Sequence, residues 1–567
     1  MTKYAIGLDY GTNSCRSLIV DLSEGKEVAS TIINYPSGEA GVLVDAAEPQ
    51  LARQHPADYL QGMEYIIKEA IRQASALQTD FKPENIVSIG VDTTGSTPLP
   101  VDQNGTPLAL LPEFKDNLNA MAWLWKDHTS HAEAEEITRL AKEIRPEYLA
   151  KCGGIYSSEW FWSKLYRLQH VDSEVFEATY SFVELCDYLP AVLTGKAQPK
   201  EMFRSICAAG HKAMFNKEWG GLPDKEFLSA LSPELATFRD RLYEEAYSAD
   251  QKVGNLCSEW ADKLGLSTDT VVAVGAFDAH MGAVGAGVNE GTMVKILGTS
   301  TCDVMVNSNS KELADIPGVC GIVDGSVIPG FYGIEAGQSG VGDIFLWYVK
   351  NFVPETYGKN LDEKFAALEA KASVQKPGEH GLLALDWHNG NRTVLVDSLL
   401  SGLIVGQTLH TKPHDVYRAL IEATAFGALT IIKRIEAYGV PVKKIVNCGG
   451  LATKNPMLMQ IYADITGRPM VVARSEQTCA LGAALLSAVA AGAYPNIDEA
   501  QQKLCGFQDK VYHPKEENHQ VYTQLYELYL QMHDAFGTSE WTGNLAHLMK
   551  KLISIRNKQA QANHEHN

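Results

Sequence analysis

No two cysteines in this chain are spaced C-x-x-C, and the ten present are scattered through 567 residues. This excludes a disulfide-dense scaffold and a zinc ribbon, and leaves reduced, mostly buried thiols. A charged start followed by a signal-type apolar core is also missing, because Lys3 leads straight into the strand-like Tyr4 to Asp9. Secretion is therefore not expected, and the expected compartment is the cytoplasm. The longest apolar stretch, around Ala483 to Tyr494, is Ala-rich and falls short of the ~18 to 20 residues that span a bilayer. It reads as a buried helix. Positive charge is in deficit: 49 Lys and Arg stand against 69 Asp and Glu, for a net charge of -20. Such a chain repels nucleic-acid backbones and anionic lipid, so neither nucleic acid nor membrane is an expected partner. A nucleotide stays compatible, since backbone amides and a bound cation neutralise phosphate locally. The signatures G-x-x-x-x-G-K-[ST], G-x-S-x-G and H-E-x-x-H are absent, which argues against a P-loop enzyme.

What is present suits a large α/β enzyme. The length favours at least two domains. Tyr4 to Asp9, Arg16 to Leu22 and the run after Lys26 form a strand, turn, strand meander, followed by helical spacing over His55 to Leu77 and a strand at Ile86 to Val91. Ala120 to Lys142 and Glu159 to His170 read as helices, and Lys196 to Pro223 as an irregular insertion. After a strand at Val271 to Val274 and a small-residue helix from Gly275 to about Gly287, a second meander begins at Gly291 and repeats the first. The expected division is 1–290 and 291–550, with a polar tail at 551–567. His414 to Tyr438 is an amphipathic helix leading into a strand at Lys444 to Asn447, and Asn455, Pro456 and Gly467 mark the ends of another helix.

Four motifs carry candidate chemistry. Asp9-Tyr10-Gly11-Thr12-Asn13 is an acid at a strand end followed by a donor-rich turn, suited to phosphate and to a hydrated magnesium ion, or simply to a hairpin. Gly298-Thr299-Ser300 repeats that turn in the second half, and two such loops across a cleft would grip one triphosphate. Gly449-Gly450 permits close approach of a ligand or serves a tight strand-to-helix turn. Asp278 suits a general base or a helix N-cap. His128 and His131, three apart with no third ligand nearby, are assigned no metal.

Taken together, the runs Gly7-Leu8-Asp9-Tyr10-Gly11-Thr12, Asp92-Thr93-Thr94-Gly95-Ser96-Thr97, Trp125-Lys126-Asp127-His128, Ala276-Phe277-Asp278-Ala279-His280, Gly298-Thr299-Ser300-Thr301, Glu335-Ala336-Gly337-Gln338 and Cys448-Gly449-Gly450 resemble the FGGY carbohydrate kinases, over roughly residues 4 to 495. The resemblance implies two α/β domains of the actin-like ATPase (ribonuclease H-like) fold, with sugar bound by the first, ATP mainly by the second, and a cleft between. It implies Asp278 as catalytic base and Asp9 as the group placing Mg2+, through water. Ser96, Lys212, Asp278 and Glu335 would contact the sugar. Gly11, Thr12, Asn13 and Arg16 would lie near the transferred phosphoryl group, and Gly298, Thr299, Gly337, Gly450 and Asn455 would line the ATP site. Within the family the runs are most similar to members that phosphorylate L-ribulose at its 5-position in L-arabinose catabolism. Another pentulose such as xylulose is the alternative substrate, and an actin-like ATPase without a sugar acceptor the alternative class. A small ketopentose is the expected partner and a homodimer the expected assembly. The chain departs from the family pattern at Arg167, where a Trp is usual, and in a longer connection from Gly402 to Asp415.

Overall fold

The computed structural model describes residues 2–564 and is built around two mixed sheets. The first contains β1 (Tyr4–Tyr10), β2 (Ser14–Asp21), β3 (Lys26–Asn34), β4 (Ile86–Thr93), β5 (Lys252–Asn255), β6 (Val271–Ala273) and β7 (Ala276–Phe277). Its order is β5-β6-β4-β1-β2-β3, with β7 also on β4. The second contains β8 (Thr292–Leu297), β9 (Thr301–Ser308), β10 (Gly321–Asp324), β11 (Phe331–Ala336), β12 (Lys444–Cys448) and β13 (Met470–Val472), in the order β10-β11-β9-β8-β12-β13. In each sheet an antiparallel meander is continued on its other side by a parallel strand, β4 on β1 and β12 on β8. The echo between the two halves of the sequence is thus a shared topology.

Strand β1 is buried along its whole length, because helices cover both faces of its sheet. Helix Pro56–Leu77 packs on β2 and β3 through Tyr59, Met63, Ile66, Ile67 and Ala70, the residues its 3.6-residue spacing selects. The opposite face receives helix Thr478–Ala490 from the far end of the chain, which also packs against helix Asp278–Gly285. Small residues make this seam possible. A Cβ on Gly482 would come within 1.9 Å of the Met281 carbonyl oxygen, and one on Gly7 within 1.7 Å of that of Ala480. Inside the seam the buried hydroxyls of Ser487 and Ser88 share a hydrogen bond of 2.9 Å.

Two stretches differ from expectation. Ala120 to Lys142 is not one helix: a two-residue strand at Ala122–Trp123 and a turn precede helix His131–Ile144. The cause is Asp127, which is fully buried, pairs with Arg53 and accepts from the Ala52 amide at 2.7 Å and the Thr129 hydroxyl at 2.6 Å. A side chain so engaged draws the backbone out of helical geometry. The segment expected as a polar tail from 551 lies in helix Leu548–His564, whose Leu548, Leu552 and Ile555 enter the core of the second half. Three apolar residues at helical spacing suffice in a Lys-rich stretch. Residues 565–567 lie outside the described residues. The irregular insertion contains a short helix, Ile206–Lys212, and Arg167 turns away from the core to pair with Glu48 at 2.9 Å.

Gly482→Ala, normally favourable in a helix, should here lower stability by about 1–3 kcal/mol, since the new methyl meets backbone. Urea unfolding checks this against Gly450→Ala, where a Cβ meets nothing within 4 Å and little change is expected.

Candidate active site

Parallel pairing brings three acids together. Asp9 near the end of β1 is in register with Asp92 on β4, and Asp92 is in register with Ala276 on β7, two residues before Asp278. All three carboxylates therefore gather at the carboxyl ends of neighbouring strands, where open α/β sheets bind ligands. Asp278 is the first residue of its helix rather than the cap, which is Phe277, and it accepts from the Ala279 amide at 2.6 Å. Asp9 pairs with Arg16 Nε at 3.2 Å. The two Asp92 oxygens have no hydrogen-bond partner. Burial, then the charge of Asp9, pushes Asp278 up to about 7, and burial, then Asp9 and Asp278, pushes Asp92 well above the carboxylate range. Asp9 is raised by burial against the pull of Arg16.

This cluster fits a hard cation. Asp9, Asp92 and Cys479 offer ligand atoms within 4.8 Å of one another, and the orphaned oxygens of Asp92 are the kind of donor magnesium takes. Cys479 is no magnesium ligand, because burial keeps its thiol protonated. Sequence reasoning singled out Asp9 and Asp278 but missed Asp92. Its signal was there: an acid closing an apolar strand, as Asp9 does.

The turn after Asp9 is a hairpin closed by the Gly11 amide on the Ser14 carbonyl at 2.9 Å. It is also fixed from outside, with Thr12 Oγ1 accepting from Trp125 Nε1 at 3.0 Å and Asn13 Nδ2 donating to the Ala40 carbonyl at 2.6 Å. In the second half Gly298, Thr299 and Gly450 are exposed, and Gly449 adopts φ +93° where a Cβ would come within 2.4 Å of the Leu297 carbonyl. These glycines form one wall. Gly337 and Asn455 differ, being buried with partners of their own: the Gly337 amide donates to Thr393 Oγ1 at 3.3 Å, while Asn455 caps helix Pro456–Thr466 through the Leu458 amide at 2.9 Å.

The residues expected at the sugar fall into two buried networks. Ser96 donates to Glu184 Oε1 at 2.7 Å, and the Thr97 amide donates to Glu184 Oε2 at 2.9 Å. Lys164 Nζ donates to the carbonyls of Ser96, Leu124 and Trp123 at 2.7, 3.0 and 3.2 Å, tying the Ser96 loop to the Trp125 turn. Burial pulls the Lys164 ammonium down to about 7, against the carboxylate of Glu184. The second network crosses between the halves: Lys212 Nζ lies 3.0 Å from Glu335 Oε1 and 5.1 Å over the Trp160 ring. Lys212 holds Glu335 well below the carboxylate range despite its burial. Glu184, Lys164, His211 and His280 were not legible as site residues. Their partners lie far away in the chain, and only His280 stood inside a quoted motif.

Beside these networks, a cavity of about 310 Å³ opens between the halves, lined by Tyr156, Trp160, His211, Met214, Ile322 and Tyr332 among others. No helix among the described residues is long and apolar enough to cross a membrane.

Comparison with known proteins bears on this arrangement. The family model "FGGY family of carbohydrate kinases, N-terminal domain" matches residues 4–285, and its C-terminal counterpart matches 293–491. A ribulokinase of Vibrio parahaemolyticus is 42% identical over 546 residues, covering 94% of this chain and 95% of its own. One from Shouchella clausii is 42% identical over 575 residues, covering 98% and 99%. Among solved structures, xylulose kinase from Rhodospirillum rubrum superposes with a TM-score of 0.76 at 21% identity, over 94% of this chain and 99% of that one. Gluconate kinase from Lactobacillus acidophilus gives 0.75 at 21%, over 95% and 99%. At that identity the structures establish the fold, the two-domain actin-like ATPase architecture.

Lys164→Met, which keeps the stem and removes the ammonium, takes a buried donor from the Ser96 and Trp123 carbonyls, while the Leu124 carbonyl keeps the Asp127 amide at 2.9 Å, and should cost about 2 kcal/mol or more. Chemical denaturation measures this.

Proposed function

From membership of the chain in the FGGY family of carbohydrate kinases, sugar kinases that use ATP as co-substrate, we propose that its reaction is transfer of the ATP γ-phosphoryl group to the 5-hydroxyl of L-ribulose, a step of L-arabinose catabolism. The observation that carries the choice of sugar is the 42% identity to named ribulokinases over nearly the whole chain.

Asp278 serves as the general base. Enclosed by burial and by Asp9, it has a pKa of about 7, matched to accepting a hydroxyl proton near neutral pH. Ser96 already donates its proton to Glu184, so toward the sugar its oxygen is an acceptor. Lys212 supplies donors and Glu335 an acceptor, and because they pair across the two halves, sugar recognition and closure of the cleft act together. Gly11, Thr12, Asn13 and Arg16 face the transferred phosphoryl group. Gly298, Thr299 and Gly450 line the ATP site, with Gly337 and Asn455 holding its walls in shape. Asp9, with Asp92 beside it, would hold Mg2+ through water, and the ion when bound supplies positive charge to the phosphate oxygens. Most of the acceleration then comes from positioning and electrostatics. Residues 1–290 are proposed as the sugar-binding domain and 291–550 as the ATP-binding domain, in a cytoplasmic homodimer.

ATP consumption measured side by side with L-ribulose, D-ribulose, D-xylulose, L-xylulose and glycerol should give the highest kcat/KM for L-ribulose. With that sugar, Asp278→Asn should lose roughly 10²- to 10⁴-fold in kcat while still binding it. Preference for D-xylulose would move the assignment to the alternative pentulose, and full activity in Asp278→Asn would remove the proposed base.

A further inference from the structure

Glu335 faces more than Lys212. Its Oε2 lies 3.4 Å from His280 Nε2 and 3.7 Å from His211 Nδ1, and the three side chains offer ligand atoms within 4.8 Å of one another. Both histidines are 2% exposed, yet His211 Nδ1 and both nitrogens of His280 have no hydrogen-bond partner. Buried polar nitrogens are ordinarily paired, and two of these orphans, His211 Nδ1 and His280 Nε2, face one carboxylate and ask for an occupant.

The surrounding bonds say what kind. Ser326 Oγ donates to the Val323 carbonyl at 3.1 Å, which leaves it to accept from His211 Nε2–H at 3.0 Å. The free lone pair of His211 is then on Nδ1, directed at Glu335. Fixing one ring nitrogen so that the other is a bare donor is how proteins prepare histidine for a metal. Burial lowers both imidazoles, His280 to about 4, so both are neutral donors at physiological pH. Two imidazoles and a carboxylate form the set that zinc-class ions take, unlike the oxygen donors of Asp9 and Asp92.

We propose that His211, His280 and Glu335 form a binding site for a divalent transition-metal ion of the zinc class, and that the ion takes Glu335 from Lys212 and so excludes the sugar. Lys212 then rests on the Trp160 face it already overlies at 5.1 Å. The metal site rests on donor geometry alone; the exclusion of sugar rests on the reading of Lys212 and Glu335 given above.

Co2+ is the probe. Added to the full-length protein without nucleotide or sugar, it should give visible d–d absorption saturating at one equivalent, and Zn2+ should abolish those bands. His280→Gln and His211→Gln should each weaken Co2+ binding by at least roughly tenfold, in proteins still showing one cooperative melt, while Asp9→Asn leaves the bands in place. Absence of a one-equivalent Co2+ signal in the wild type, or bands that survive both histidine substitutions, would overturn the site. L-Ribulose should displace the bound Co2+, and Zn2+ should inhibit competitively with the sugar. Histidine-dependent Co2+ binding that L-ribulose does not disturb would keep the metal site and overturn its link to the sugar.

Discussion

Three carboxylates, those of the buried Asp9 and Asp92 and the half-buried Asp278, gather at the ends of adjacent strands, and Arg16 is their only ion-pair partner among the described residues. Desolvation and mutual repulsion both oppose ionisation there, so the cluster retains protons at pH values where exposed carboxylates have lost them. Such a site costs stability. For Asp278, whose folded pKa lies near 7 against about 3.9 unfolded, the folded form is favoured below the lower value and progressively loses that advantage as pH rises through 7. The paired register of β1, β4 and β7 and the close seam of helices Asp278–Gly285 and Thr478–Ala490 hold the acids in place regardless. On the proposed reading, what is unfavourable in the cluster alone becomes useful once a cation and a phosphate chain enter, and a carboxyl poised near neutrality can take a proton from a sugar hydroxyl.

The same constraint explains how the two halves are joined. Away from the carboxylates they meet through small residues and the Ser88–Ser487 bond, where tight packing tolerates little change in volume. At the proposed sugar site they meet through the Lys212–Glu335 pair, which is charged and exchangeable. One seam is set by shape and the other by charge.

Much of the frame was legible because it is local. Period-two runs with glycine turns gave both meanders, 3.6-residue spacing gave helix Pro56–Leu77, and Asn455, Pro456 and Gly467 gave the ends of another helix. What stayed hidden depends on distant partners: Glu184 meets Ser96 across 88 positions and Glu335 meets Lys212 across 123, and no periodicity encodes either pair. The helix read through Ala120 failed for the same reason, since the buried Asp127 is recruited by Ala52 and Arg53. The plain readings weighed for Gly11 and Asn455, a hairpin turn and a helix cap, describe real bonds in the structure. A residue can hold a loop and still line a site, so residue type alone did not separate the two duties.

The protonation of Asp278 tests the shared carboxylate space most directly. Infrared spectroscopy of the apoprotein, with the Asp278 carboxyl band identified by its loss in Asp278→Asn, should show a titration midpoint near 7 that falls when Asp9→Asn removes the neighbouring charge. A midpoint at about 4, the ordinary carboxylate value, in the otherwise unaltered protein would contradict the account.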